Sequence, residues 1–73
     1  MKYIDIIRRE FAHGHGFRMT TSYGYVTYYP CPYSFKKCRA VHDYVYTGHT
    51  FTRLVSYDTV VRNFYRFTDI IIH

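Results

Sequence analysis

Apolar side chains recur at Tyr3, Ile4, Ile7 and Phe11, a spacing that stacks them along one side of an α-helix, so the chain is predicted to open with a helix over Lys2 to His13. Gly14 supplies its stop, and Gly14, His15 and Gly16 read as a loop. The β-branched Ile residues of the opening YIDII leave a strand start as the alternative. From Arg18 to Tyr29 the composition shifts to Thr, Tyr and Val, closed by Pro30 and Pro32, which predicts a strand.

Ser34 is placed to cap a second helix through FKKCRAVHDYVYT, with Phe35, Cys38, Val41 and Val45 on one face and Gly48 just past the end. Val41 to Tyr46 is also good strand material, which keeps a β-hairpin open for residues 34–47; the cap, the period and the terminator together favour the helix. From Thr50 to Val61 the pattern alternates, with Phe51, Val55, Tyr57, Thr59 and Val61 on one side and Thr52, Leu54, Ser56, Asp58 and Val60 on the other, as in a long half-buried strand. Arg62 and Asn63 are the turn before Phe64 to Ile72, which returns as its hairpin partner. The sum is one α+β domain over residues 1–73, in the order α-β-α-β-β, with a three-stranded antiparallel sheet covered on one face by two helices.

Composition adds a surface to this outline. The 73 residues include ten Tyr, six Phe and no Trp, beside ten Lys and Arg against five Asp and Glu, a formal charge of +5. A chain of this size hides only roughly 60% of its extended surface, so it cannot bury every ring. Phe11, Phe35 and Phe51 fall at periodic positions expected in the core, whereas the strand from Tyr23 to Tyr29 has more rings than one buried face can use. Tyr suits a wet boundary because it pairs a flat apolar face with a hydroxyl. The positive balance favours an acidic partner, nucleic acid included, and Lys36, Lys37 and Arg39 are its densest cluster. A core this small also benefits from a second copy of the chain, so a homodimer is expected to be within reach.

The apolar runs Ile4–Ile7 and Ile70–Ile72 fall far short of the roughly 20 residues that cross a bilayer. The amino terminus lacks the apolar stretch and small-residue cleavage site of a secretory signal, which points to a reducing cytoplasm in which Cys31 and Cys38 are free thiols.

Two motifs carry candidate chemistry. Tyr23-Gly24-Tyr25-Val26-Thr27-Tyr28 fits the later positions of the RNA-recognition octamer, where alternate rings on one strand face stack with unpaired bases. Thr21 and Ser22 stand where that motif has a cation and a Gly, and too little chain separates this segment from YIDII for an RNA-recognition fold; a stacking strand in another fold is what remains, against the plainer alternative that Tyr23, Tyr25 and Tyr28 pack against helices. Cys31, Cys38, His42 and His49 form a C-x6-C-x3-H-x6-H series in which Cys38 and His42 lie one turn apart on the expected helix, the minimum for a shared zinc ion. A buried Cys38 and a solvated His42 explain the same residues without metal. For catalysis the chain has no paired carboxylates, nucleophile elbow or phosphate-cradling Gly loop, and nothing orients a Cys38–His42 dyad, so neither an enzyme nor a cofactor is expected.

The segment Thr47-Gly48 through Val61, centred on Leu54-Val55-Ser56-Tyr57-Asp58-Thr59-Val60-Val61, resembles small uncharacterised proteins of phages and mobile elements that carry a helix, a Gly and a strand reading S-Y-x-T-x-V. Their usual ending is echoed only by Tyr65, Thr68 and His73. The resemblance implies a helix-then-strand order over 34–61 and an origin in which short chains often inhibit host machinery, anti-CRISPR proteins among them. Such proteins act by occupying a surface. The expectation is therefore a non-enzymatic binding protein in a host-cell cytoplasm that occludes a host protein or nucleoprotein through Tyr23, Tyr25, Tyr28, Lys36, Lys37 and Arg39. The alternative is a single-stranded RNA- or DNA-binding module in which the same tyrosines stack on bases and the cations meet phosphates.

Overall fold

The computed structural model describes residues 2–34 and 36–72. Its opening helix, α1 (Tyr3–Ala12), is the one the 3.6-residue pattern predicts. It buries Ile7 and Phe11 and carries Asp5 in its first turn and Arg9 in its last, each suited to the helix dipole. Gly14, at φ +78°, then turns the chain in a conformation that residues with a Cβ rarely adopt.

The next segment is a hairpin where one strand was expected. β1 (Gly16–Thr20) and β2 (Gly24–Pro30) run antiparallel, from Phe17↔Tyr28 to Thr20↔Tyr25. Between them the Thr21 N–H donates to the Gly24 carbonyl at 2.8 Å, and the Gly24 N–H reaches the Thr21 hydroxyl at 3.2 Å. Gly24 has φ +150°, and a Cβ there would strike the Asp43 carbonyl.

The helix expected after Ser34 is replaced by β3 (Lys37–Tyr44), and the helix-then-strand order implied for 34–61 is replaced by strand, Gly, strand and helix. β3 pairs along its whole length with β2 on one side and with β4 (His49–Ser56) on the other, so its backbone groups meet strands on both flanks. Cys38, Ala40 and His42 alternate inward while Lys37 and Arg39 face out, a two-residue period that outcompetes the helical spacing of Cys38, Val41 and Val45. Ser34 caps no helix; its hydroxyl accepts the Lys36 N–H at 3.1 Å. Phe35 lies outside the described residues.

The long strand expected over Thr50 to Val61 ends at Ser56. Residues 57–62 instead form a short helix, α2 (Tyr57–Arg62), with Asp58 in its first turn, Arg62 in its last and Val60 fully buried. A single 3-10 turn (Phe64–Arg66) leads into β5 (Phe67–Ile71), which pairs with β1 and not with β4.

The architecture is therefore α+β with five antiparallel strands in the order β4-β3-β2-β1-β5, which corrects the three-stranded sheet. Both helices lie on one face, over a core that includes Ile7, Phe11, Phe17, Val26, Tyr28 and Val60. Phe17 stacks on Phe67 with centroids 5.1 Å apart, tying β1 to β5. Phe51, expected in the core, is 45% exposed and lies flat against His42.

Candidate functional site

Strand pairing fixes which side chains share the face that no helix covers. Residues directly opposite in an antiparallel pair point the same way. Because Phe17, Val26, Tyr28 and Ala40 point into the core, the open face carries Arg18, Tyr25, Thr27, Tyr29, Lys37, Arg39, Val41, Thr52 and Leu54. β2 is the middle strand of the five, so Tyr25 and Tyr29 sit at the centre of that face, about 13 Å apart along the strand.

Each of these two rings has an arginine beside it. The Arg18 guanidinium lies 5.4 Å from the Tyr25 centroid, and that of Arg39 lies 5.5 Å from the Tyr29 centroid. Arg18 Nε also donates to the Thr27 hydroxyl at 3.2 Å, which holds the guanidinium between the rings. Thr27 is consequently only 1% exposed although no helix covers it. Tyr29 also spreads over Gly16, where a Cβ would come within 2.8 Å of its ring carbon. Lys37 and Arg39 project on the same face next to Tyr29, with Leu54 opposite Arg39 at 60% exposure. At the other end the face turns acidic, where Asp43 accepts from the Thr50 hydroxyl at 3.0 Å.

The residues singled out from the sequence divide between the two faces. Tyr25, Lys37 and Arg39 fall on the open face, and Lys36 is exposed just before β3. Tyr28 points the other way and is buried among the helices; Asn63 Nδ2 donates to its hydroxyl at 3.1 Å, and burial pushes its pKa up. Tyr23 occupies the β1–β2 turn on the helix side. There it stacks on Tyr44 at 4.5 Å, and its hydroxyl lies 3.0 Å from His42 Nδ1. Arg18 and Tyr29 were not singled out, because their place beside Tyr25 follows from a hairpin and a register that composition does not reveal. The odd-numbered alternation Tyr25-Thr27-Tyr29 was the available signal.

A second cluster gathers Tyr23, Tyr44, His42 and Phe51 where the helix-side face extends past the helices. His42 and Phe51 stack at 4.6 Å, and Tyr44 lies 5.7 Å from Phe51. Arg53 Nε donates to His42 Nε2 at 3.1 Å, and burial followed by the nearby guanidinium lowers the His42 pKa.

For a metal, Cys38 and His42 are now four residues apart along a strand, about 13 Å, in place of one helical turn. Cys38 is fully buried and its thiol is pushed up to about 12, chiefly by burial and then by Cys31, which opposes the thiolate that zinc requires. His49 stands opposite Tyr44 at the far end of the same pair of strands. Among the described residues no group of three or more His, Cys, Asp or Glu is placed to hold an ion. Among them, too, no helix is long and apolar enough to cross a membrane. No family model, curated protein or solved structure matches the chain.

Proposed function

We propose that this protein is a non-enzymatic binding module whose open sheet face takes single-stranded RNA or DNA. The observation that carries this reading is the pair Tyr25 and Tyr29 on the central strand, each flanked by an arginine. Bases stack on accessible ring faces whatever their identity, Tyr25 being exposed and Tyr29 half-buried, and the guanidinium beside each ring places positive charge within reach of a backbone phosphate. Arg18, Lys37 and Arg39 then border the track with positive charge, in keeping with the net +5. Anisotropy titrations with labelled oligo-uridine and oligo-thymidine test it. Affinity should fall linearly in log–log form with salt, at a slope of about two for three phosphate contacts on a single strand. No binding of either oligonucleotide at low salt would sink the proposal.

The second cluster favours a protein partner as the other reading. Tyr and Arg dominate interface hot spots, and the stacked rings around Arg53 offer both at one end of the molecule. An inhibitor of a host nucleoprotein, anti-CRISPR-like and encoded by a phage or mobile element, would use both surfaces. A stoichiometric protein recovered from nuclease-treated bacterial lysate, and lost with Tyr44→Ala, would favour this reading over the first.

A further inference from the structure

The two edges of the sheet are built differently. β5 has five residues, shifts register against β1 between Arg18 and Met19, and carries Asp69. A short, irregular, charged edge is a poor template for another strand. β4 has eight residues and pairs with β3 without a break from Lys37↔Ser56 to Tyr44↔His49. It contains no Pro, Gly, Asp or Glu, and Arg53 is its one Lys or Arg. Its first six residues are exposed, Phe51 and Leu54 among them, and its outer row of N–H and C=O groups faces no strand among the described residues. Of the usual blocking devices, Pro, a bulge and a short strand are absent from this edge, and Arg53, turned to the helix side beside His42, is its one charged side chain.

We propose that β4 pairs antiparallel with β4 of a second copy, joining two five-stranded sheets into one of ten strands about a two-fold axis. The strand's own sequence identifies the occupant. Directly opposite residues must share a face, so the axis has to pass through a pair of identical residues. Centring on Arg53 would set two guanidinium groups against each other. Centring on Thr52 sets Thr52 against its own copy, Phe51 against Arg53 of the second copy, and Thr50 against Leu54 of the second copy. These are Thr–Thr, ring–cation and Thr–Leu pairs, none of which opposes like charges, and the two-fold repeats the last two. A continuous sheet also keeps both open faces on the same side, so the dimer would present two Tyr25–Tyr29 rows together. The dimer stands independently of what those rows bind.

Sedimentation velocity over a concentration series tests the proposal. The wild-type protein should shift from 8.9 kDa toward twice that mass. Thr52→Lys, which sets two ammonium groups face to face at an exposed position, should stay monomeric with an unchanged far-UV spectrum, while Thr52→Ser should dimerise like the wild type. Hydrogen exchange on the wild type needs no variant: protection of amides in 49–56 should rise with protein concentration, more than in any other strand. A monomer at every concentration, a folded Thr52→Lys that still dimerises, or concentration-independent exchange in β4 would each overturn it.

Discussion

Arg53 Nε donates to His42 Nε2 across the β3–β4 pair, and this bond decides where the proton of the imidazole sits. A neutral ring that accepts at Nε2 carries its hydrogen on Nδ1, where it donates to the Tyr23 hydroxyl 3.0 Å away. Protonating His42 would turn Nε2 into a donor facing a donor, next to a positive charge.

Stability should therefore depend on pH through this residue. The His42 pKa is lowered in the fold by burial and then by Arg53, with Asp43 opposing, relative to an ordinary value of 6.5. Below about pH 6.5 the unfolded chain binds the proton more readily than the folded one. The contribution is thus complete above that pH, shrinks as pH falls through the window down to the folded pKa, and levels off beneath it. Urea midpoints at about pH 7.5 and about pH 5 should show this loss in the wild type and a smaller one in His42→Gln. Equal slopes in the two proteins would exclude His42 as the source.

The tyrosines of β2 should separate binding from stability. Tyr25→Ala and Tyr29→Ala should each weaken oligonucleotide binding by about 1–3 kcal/mol, roughly 5- to 150-fold. Tyr28→Phe should leave binding alone and instead cost about 1 kcal/mol of stability, since Asn63 Nδ2 loses one of its two acceptors inside the fold. Titration and urea melts of the three variants check both halves, and a binding defect in Tyr28→Phe alone would reverse the assignment of faces.

How much of this was legible in the sequence varies by element. α1 stood alone, with one period and a Gly stop, and its bounds differ from the expected ones by a residue at each end. β3 carried two periods at once: Cys38, Val41 and Val45 suit a helix, whereas Cys38, Ala40 and His42 suit a strand, and only pairing with two neighbours decides between them. α2 was hidden because Tyr57, Thr59, Val60 and Val61 favour strands; burying Val60 against α1 and the sheet overrides that preference, and Ser56 followed by Asp58 was the local sign of a helix start. The excess of rings on β2 could be read from composition, but the split between Tyr25 and Tyr28 required the register.

Two glycines should respond differently to the same substitution. Gly24 combines φ +150° with a site where a Cβ would strike the Asp43 carbonyl and come within 2.9 Å of Val45 Cγ2. Gly24→Ala should cost about 3–4 kcal/mol, comparable with the whole reserve of a domain this size, and leave the chain largely unfolded. Gly14 has φ +78° but no neighbour within 4 Å of its Cβ position, so Gly14→Ala should cost only the backbone strain, about 1–2 kcal/mol. Circular dichroism melts of the two variants make the comparison, and a Gly24→Ala that melts at or above Gly14→Ala would contradict the hairpin geometry.

The cysteines offer a test that reports on the fold and on metal binding together. Cys38 sits opposite both Pro30 and Val55, fully buried, with its thiol pushed up to about 12 by burial and then by Cys31. At neutral pH it holds almost no thiolate, and thiolate is the form that reacts with alkylating agents and binds zinc. Cys31 lies just beyond β2 and is partly exposed. Iodoacetamide should therefore add a single carbamidomethyl group quickly, at Cys31, while Cys38 reacts only as fast as the molecule unfolds. Peptide mapping after a short pulse distinguishes the two positions. Under the same logic a strong chelator should leave the melting temperature unchanged. Rapid double labelling would contradict the burial of Cys38 between β2 and β4, and a melting temperature lowered by chelator would point to a bound metal.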